Sequence, residues 1–168
     1  MAYIYHPKLG RVGIIANPSS VLPDLTHVVD LLAPPSSGVD VVGVFGPEHG
    51  FRGAAQAGHA GSTTVDPQTN LSVYNIYGLA PKNMTALFTQ VGVETIVFDV
   101  QDVGARFYTF VWTMWDALVA AAASPTVTKF VVLDRPNPIG GVVIEGPVLE
   151  MEFASFIGRL PIALRHGS

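Results

Sequence analysis

The chain has 168 residues, a formal net charge of −4, no cysteine, and 49% hydrophobic against 13% charged residues. That size and balance predict one well-buried domain and exclude a disordered chain. They also exclude disulfides, thiolate metal sites and the basic footprint that nucleic acid or an anionic membrane surface requires.

In chain order, residues 1–7 lack the basic start and long apolar run of a signal peptide, which reads as a soluble, cytoplasmic chain. A chain already relieved of an export signal reads the same way. Residues 12–16 predict a strand that runs into Asn17-Pro18-Ser19-Ser20. Residues 24–32 carry Leu25, Val28, Val29 and Leu32 at helical spacing, with Asp24 as the expected N-cap and Pro34-Pro35 as the stop. Residues 39–45 predict a second strand, so the order implies a right-handed parallel crossover. Residues 46–70 have no clear periodicity and many small residues, and loops of that length inside compact domains are usually functional or mobile.

A short strand is expected over 73–77, then a helix over 83–91 with Met84, Leu87, Phe88 and Val91 on one face. Residues 95–100 predict a third long strand. A longer helix follows over 109–123, with Val111, Met114, Trp115, Leu118 and Val119 as its apolar set and Pro125 as its end. The low-charge stretch 107–123 contains Asp116 and is too short and mixed to span a membrane. Residues 129–133 predict a fourth long strand, and 142–144 an edge or antiparallel strand turned by Gly146-Pro147. The tail over 153–165 carries Phe153, Phe156, Ile157, Leu160, Ile162 and Leu164, enough apolar surface to require a partner and to predict self-association. Four β-branched runs bounded by turn residues mark strands buried on both faces of a parallel sheet. The expected fold is α/β: a Rossmann-like, three-layer domain with a mainly parallel sheet.

Each long strand ends in a polar cluster, and open α/β sheets bind ligands beyond the carboxyl ends of their strands. In Gly46-Pro47-Glu48-His49-Gly50-Phe51-Arg52-Gly53, Glu48 is the favoured catalytic carboxyl. Partial desolvation at a crevice mouth would raise its pKa, as a general acid needs. The plain alternative is a turn cap or a pair with Arg52. His49 and His59 are candidate contacts or proton carriers, His59 more simply bonding a loop backbone.

In Gln101-Asp102-Val103-Gly104-Ala105-Arg106-Phe107-Tyr108, Asp102 offers the second acid that glycoside hydrolysis pairs with the first. Its alternative is an ion pair with Arg106 that only orders the loop. Arg106 has the planar fork that grips a carboxylate, Tyr108 could line a sugar face, and Gln101 is a further candidate contact. In Asp134-Arg135-Pro136-Asn137-Pro138 the prolines hold Arg135 and Asn137 in set directions, for a binding site or for a plain turn. Glu145 is a third acid, whose ordinary role is an exposed edge charge. No G-x-G-x-x-G, P-loop, serine elbow or H-E-x-x-H occurs, so no cofactor and no metal is expected.

The stretches FGPEHGFRG (45–53), VFDVQDVGARFYT (97–109), VVLDRPNPIGG (131–141), EGPVL (145–149) and FIGRLPIALRHG (156–167) resemble the exo-acting β-N-acetylmuramidases of bacterial cell-wall recycling. That family was formerly an uncharacterised domain family, and the resemblance covers nearly the whole chain. It implies a glycoside hydrolase that releases terminal, non-reducing N-acetylmuramic acid from peptidoglycan fragments. It further implies a Rossmann-like N-terminal domain, carrying the glutamate of GPEHG at Glu48, beside a C-terminal domain that helps form the cleft.

On that basis residues 1–150 are expected to form the catalytic half, and 151–168 to begin the connection to a second domain. The expected contacts with a muramic-acid-containing carbohydrate are His49, Arg52, Gln101, Arg106, Tyr108, Arg135, Asn137, Glu145 and His166. The loop Ala54-Ala55-Gln56-Ala57-Gly58-His59 departs from the acidic pattern usual in the family. Without the second domain, weak or absent turnover is expected. The alternative is an inactive remnant or sugar-binding module of the same fold.

Overall fold

The computed structural model describes residues 9–56 and 62–167. The readings of residues 1–7 and of His59 fall outside them. The chain begins with strand β1 (Arg11–Ala16), helix α1 (Val28–Leu32) and strand β2 (Asp40–Gly46). Strands β3 (Thr64–Val65) and β4 (Ser72–Asn75) follow, then helix α2 (Pro81–Val91). Strand β5 (Thr95–Asp99), helix α3 (Phe110–Ala123) and strand β6 (Lys129–Val132) complete the main layers. A hairpin of β7 (Ile144–Val148) and β8 (Ala163–His166) lies outside that sheet.

The six-stranded sheet runs β3-β4-β2-β1-β5-β6, and every pairing in it is parallel except β3 with β4. The chain builds outward from β1 to β4, then returns through α2 to the other side of β1. The order therefore reverses between β1 and β5, the crevice where such sheets hold ligands. Because β1, β2, β5 and β6 are all parallel, their polar clusters at Asn17, Gly46, Gln101 and Asp134 share one edge of the sheet, as the sequence implies.

Residue alternation divides the core into two layers. Ile15, Phe45, Ile96 and Phe98 face α2 and α3, where they meet Met84, Phe88, Ala117 and Ala120. Val12, Ile14, Val44 and Val97 face the other side and pack with Val28 and Val29 of α1. Each large apolar side chain buried this way contributes roughly 1.5–3 kcal/mol. The result is the three-layer α/β arrangement.

Several local expectations are corrected. Helix α1 starts late, because Leu25 is left-handed at φ 65° and Asp24 accepts from Thr26 N at 3.0 Å in a local turn. His27 caps the helix instead, its Nδ1 accepting from Val29 N at 3.2 Å. Strand β6 is not buried on both faces: it is the sheet edge, and Val132 is exposed. In α3 the buried face is Trp112, Asp116, Ala117, Ala120 and Ala121, whereas Trp115, Leu118 and Val119 of the expected apolar set are exposed. Alanines let the helix axis approach its neighbours closely, so the small face packs and the bulky face is left outside.

Candidate functional site

The loop after β2 is closed tightly enough to hold a side chain still. Gly50 N donates to Pro47 O at 2.9 Å, and His49 and Gly50 are both left-handed. A Cβ on Gly46 would stand 3.0 Å from Phe51 N, so this strand end needs glycine for the chain to double back. Phe51 is buried and meets His27 edge-on at 4.8 Å. Arg52 lies over the Phe51 ring and binds two acids, Asp30 at 2.6 Å and Asp66 at 2.8 Å. Arg52 is thereby tied to α1 and to the segment before β4, and it does not pair with Glu48. Its two hydrogen-bonded partners push its already high pKa higher still, and Arg52 holds Asp66 below the ordinary carboxylate value. His49 is exposed.

Glu48 is half-buried at the tip of this loop, and Thr109 Oγ1 donates to its Oε2 at 2.8 Å. Tyr77, just after β4, faces the same carboxylate. Burial first, then the charge of Glu48 and hydrogen bonding to it, push the Tyr77 phenol above its usual range. Three separate loops thus converge on one acid.

The loop after β5 has a different organisation. Gln101 N donates to Ser19 Oγ at 3.0 Å, which latches the β1 and β5 loops across the switch point. Asp102 accepts from Asn137 Nδ2 at 3.3 Å and stands 3.6 Å from His166 Nδ1. It makes no ion pair with Arg106. The Arg106 guanidinium instead donates through Nη1 to the carbonyls of Pro147 and Ile162, fastening the loop to the β7–β8 hairpin. Gly104, left-handed at φ 72°, fits between Ile139 and the His166 carbonyl, where a Cβ would come within 2.7 Å of that oxygen. Tyr108 and Phe107 are exposed and stacked at 5.4 Å.

Arg135 reaches back to the buried Asp99 at the end of β5, and its Nη1 is buried without a partner among the described residues. Burial raises the Asp99 pKa, and the Arg135 charge opposes it. Glu145 forms an exposed pair with Arg165 at 3.3 Å, in keeping with an edge-strand charge.

A cavity of about 240 Å³ opens beside Glu48. It is bounded by Ile76–Leu79, by Thr109, Trp112, Thr113 and Asp116 of the α3 start, and by Phe156 and Arg159. Two of its wall residues are Thr109, which hydrogen-bonds Glu48, and Tyr77, whose phenol feels the Glu48 charge. Asp102, Arg135 and Glu48 itself are not on its wall. The structure therefore gathers the predicted residues along one sheet edge but in two groups. One is Glu48 with Thr109 and Tyr77; the other is Asp102 with Asn137 and His166. Tyr77, Thr109, Asp116 and Arg159 escaped the sequence reading. The signals that could have found them were Asp116, an acid at a helical position among apolar residues, and the places of Thr109 and Arg159 inside the stretches 97–109 and 156–167.

The parallel sheet, its switch point and an acid held at the strand ends define a Rossmann-like α/β unit, here without a nucleotide-binding glycine loop. Residues 12–168 match the family model described as exo-beta-N-acetylmuramidase NamZ, N-terminal, and the chain belongs to that family. It is 45% identical over 157 residues to the peptidoglycan beta-N-acetylmuramidase NamZ of Bacillus subtilis, covering 94% of this chain and 37% of that protein. Two solved DUF1343 family proteins from Bacteroides fragilis share the fold. One has a TM-score of 0.76 at 38% identity and the other 0.74 at 33%. The chain covers 38% and 40% of those structures, so it spans well under half the length of these relatives. No helix among the described residues is long and apolar enough to cross a membrane.

Proposed function

We propose that this chain supplies the catalytic half of a glycosidase that removes terminal, non-reducing N-acetylmuramic acid from peptidoglycan fragments, with Glu48 as the acid that protonates the leaving oxygen. The observation that carries the reading is the position of Glu48. It sits at the end of a buried parallel strand, hydrogen-bonded by Thr109 and facing Tyr77, at the rim of a cavity beyond the sheet. A positioned general acid contributes about 10²–10⁴-fold to such a reaction. In this reading 151–168 leads toward a second unit that closes the cleft, and the chain alone turns over little or no substrate.

A sugar-binding module of the same fold is the second reading. It is favoured by the placement of Asp102, which is engaged with Asn137 and His166 and does not face the cavity beside Glu48.

Release of a chromophore from an aryl β-N-acetylmuramide separates the two. The assay uses the chain alone and the chain supplied with the remaining half of a relative. Glu48→Gln keeps the shape of the side chain and removes its proton, so the supplied enzyme should lose about 10²–10⁴-fold in turnover while still binding sugar. Turnover indifferent to Glu48→Gln would remove the assignment. Binding without turnover in the supplied parent would favour the module.

A further inference from the structure

The cavity beside Glu48 contains a charged pair that the reading above leaves without a task. Asp116 lies on the inner face of α3, 4% exposed, and Arg159 Nη1 donates to its Oδ1 at 2.6 Å. Arg159 is placed by a tight turn, in which Ser155 N donates to Gly158 O at 2.8 Å and Gly158 N to Ser155 O at 3.1 Å. The same turn carries Phe156, which meets Tyr77 edge-on at 6.4 Å. An aromatic wall and a cation thus face the cavity from one short segment.

The other arginines near the site lie off the wall of this cavity and are engaged elsewhere. Arg52 is divided between Asp30 and Asp66, Arg106 holds two carbonyls, and Arg135 holds Asp99 with its remaining Nη1 sealed from solvent. Arg159 differs in place: like Arg106 it bonds only through Nη1 among the described residues, but of these four arginines it is the one on the cavity wall, with its side chain 38% exposed. A guanidinium presents five N–H donors, so one bond to Asp116 leaves an edge of the fork for a second carboxylate. Arg52 already binds two carboxylates at once in this protein. The cavity is smaller than the roughly 300–1,000 Å³ that encloses a drug-sized ligand, which suits one sugar ring or its substituent and not an oligosaccharide.

We infer that Arg159 is the residue that recognises an acidic substituent of the bound sugar, a carboxylate carried on an ether side chain, and that Asp116 is the positioning residue that aims it. The inference rests on the muramidase reading and deepens it. Asp116 fixes one end of the guanidinium, so less side-chain freedom is lost when the ligand carboxylate arrives. A sugar without that carboxylate leaves the fork facing water and gains nothing from it.

The test is equilibrium binding to the 168-residue chain of three methyl β-glycosides: N-acetylmuramide, its lactyl methyl ester, and N-acetylglucosaminide. The parent should bind the muramide at least about tenfold tighter than either of the others, the size of one charge-assisted contact. Arg159→Met and Arg159→Lys should bring the three ligands close to equal, the lysine keeping charge without the fork. Asp116→Asn should lower muramide affinity and narrow the ratio, whereas a purely structural role would weaken all three ligands alike. The double variant Asp116→Asn/Arg159→Met carries no buried unpaired charge and should also bind the three alike, so misfolding of a single variant does not decide the outcome.

Discrimination that survives Arg159→Met and the double variant overturns the inference, and the Glu48 turnover test can still succeed. A parent that binds none of the three also overturns it. Carboxylate-dependent binding through Arg159 with no turnover in the supplied enzyme leaves the inference standing and removes the hydrolase reading.

Discussion

Arg52 shows how one residue of the GPEHGFRG segment can serve the loop without touching the acid in it. Its guanidinium ties Asp66 to Asp30 below the Glu48 turn, and Asp66 also accepts from Thr69 Oγ1 at 2.7 Å. These bonds, the one from Arg52 foremost, hold Asp66 below its ordinary value of 3.8, so the folded protein binds that proton more weakly than the unfolded chain. The stability Asp66 supplies is therefore present above pH 3.8 and is lost as the pH falls from there through its lower folded value. Burial pushes Asp99 and Asp116 the other way, so their contribution declines as the pH rises above 3.8. Asp66→Asn should cost about 1–3 kcal/mol near neutral pH, with the difference from the parent shrinking below that value. Urea midpoints followed down the acid limb would show this; a difference that persists undiminished in strong acid would contradict it.

At the scale of elements, β1 is the strand on which the sheet turns, and it is flanked on both sides by parallel partners. Gly13 points to the α2–α3 layer, where a Cβ would stand 2.6 Å from the Phe45 ring and 3.1 Å from the Val93 methyls. Neither neighbour has room to retreat, since Phe45 and Val93 are fully buried. Gly13→Ala should therefore destabilise the fold by about 1–3 kcal/mol through overpacking, although alanine favours a strand more than glycine does. Chemical denaturation measures it, and a neutral or stabilising result would mean the layer is looser than its geometry implies. Helix α3 illustrates the same constraint from the other side. Its alanine face packs, and Trp115, Leu118 and Val119 stay outside.

For the whole molecule, those three residues and the tail define its surface character. Phe153 is 67% exposed, and Phe156, Ile157 and Leu160 are exposed with it. Arg159 on Asp116 ties that tail segment to the inner face of α3 and leaves both sets of apolar side chains exposed. Monomeric proteins rarely expose contiguous apolar patches above roughly 300–600 Å². The isolated chain should self-associate in sedimentation experiments, and Trp115→Glu with Phe153→Ser should reverse most of that. A monodisperse parent across the concentration range, with no binding of an apolar dye, would contradict the expectation.

The strand ends at Asn17, Gly46, Gln101 and Asp134 were legible in the sequence because each follows a short apolar run, and local pattern alone sets where a buried strand stops. The same locality made α2 and the FGPEHGFRG turn readable. Family membership was legible for a related reason: whole motifs survive in order along the chain. Which residues meet was not legible, because those contacts join distant segments. Thr109 reaches Glu48 across 61 positions, and Arg159 reaches Asp116 across 43. The buried face of α3 also needed the tertiary structure, since apolar count favours Trp115 and Leu118 while close packing favours alanine. Sequence alone determined the layers and the edge that carries the polar loops. The tertiary structure decided the partners, because side-chain pairing depends on how separate loops fall together in space.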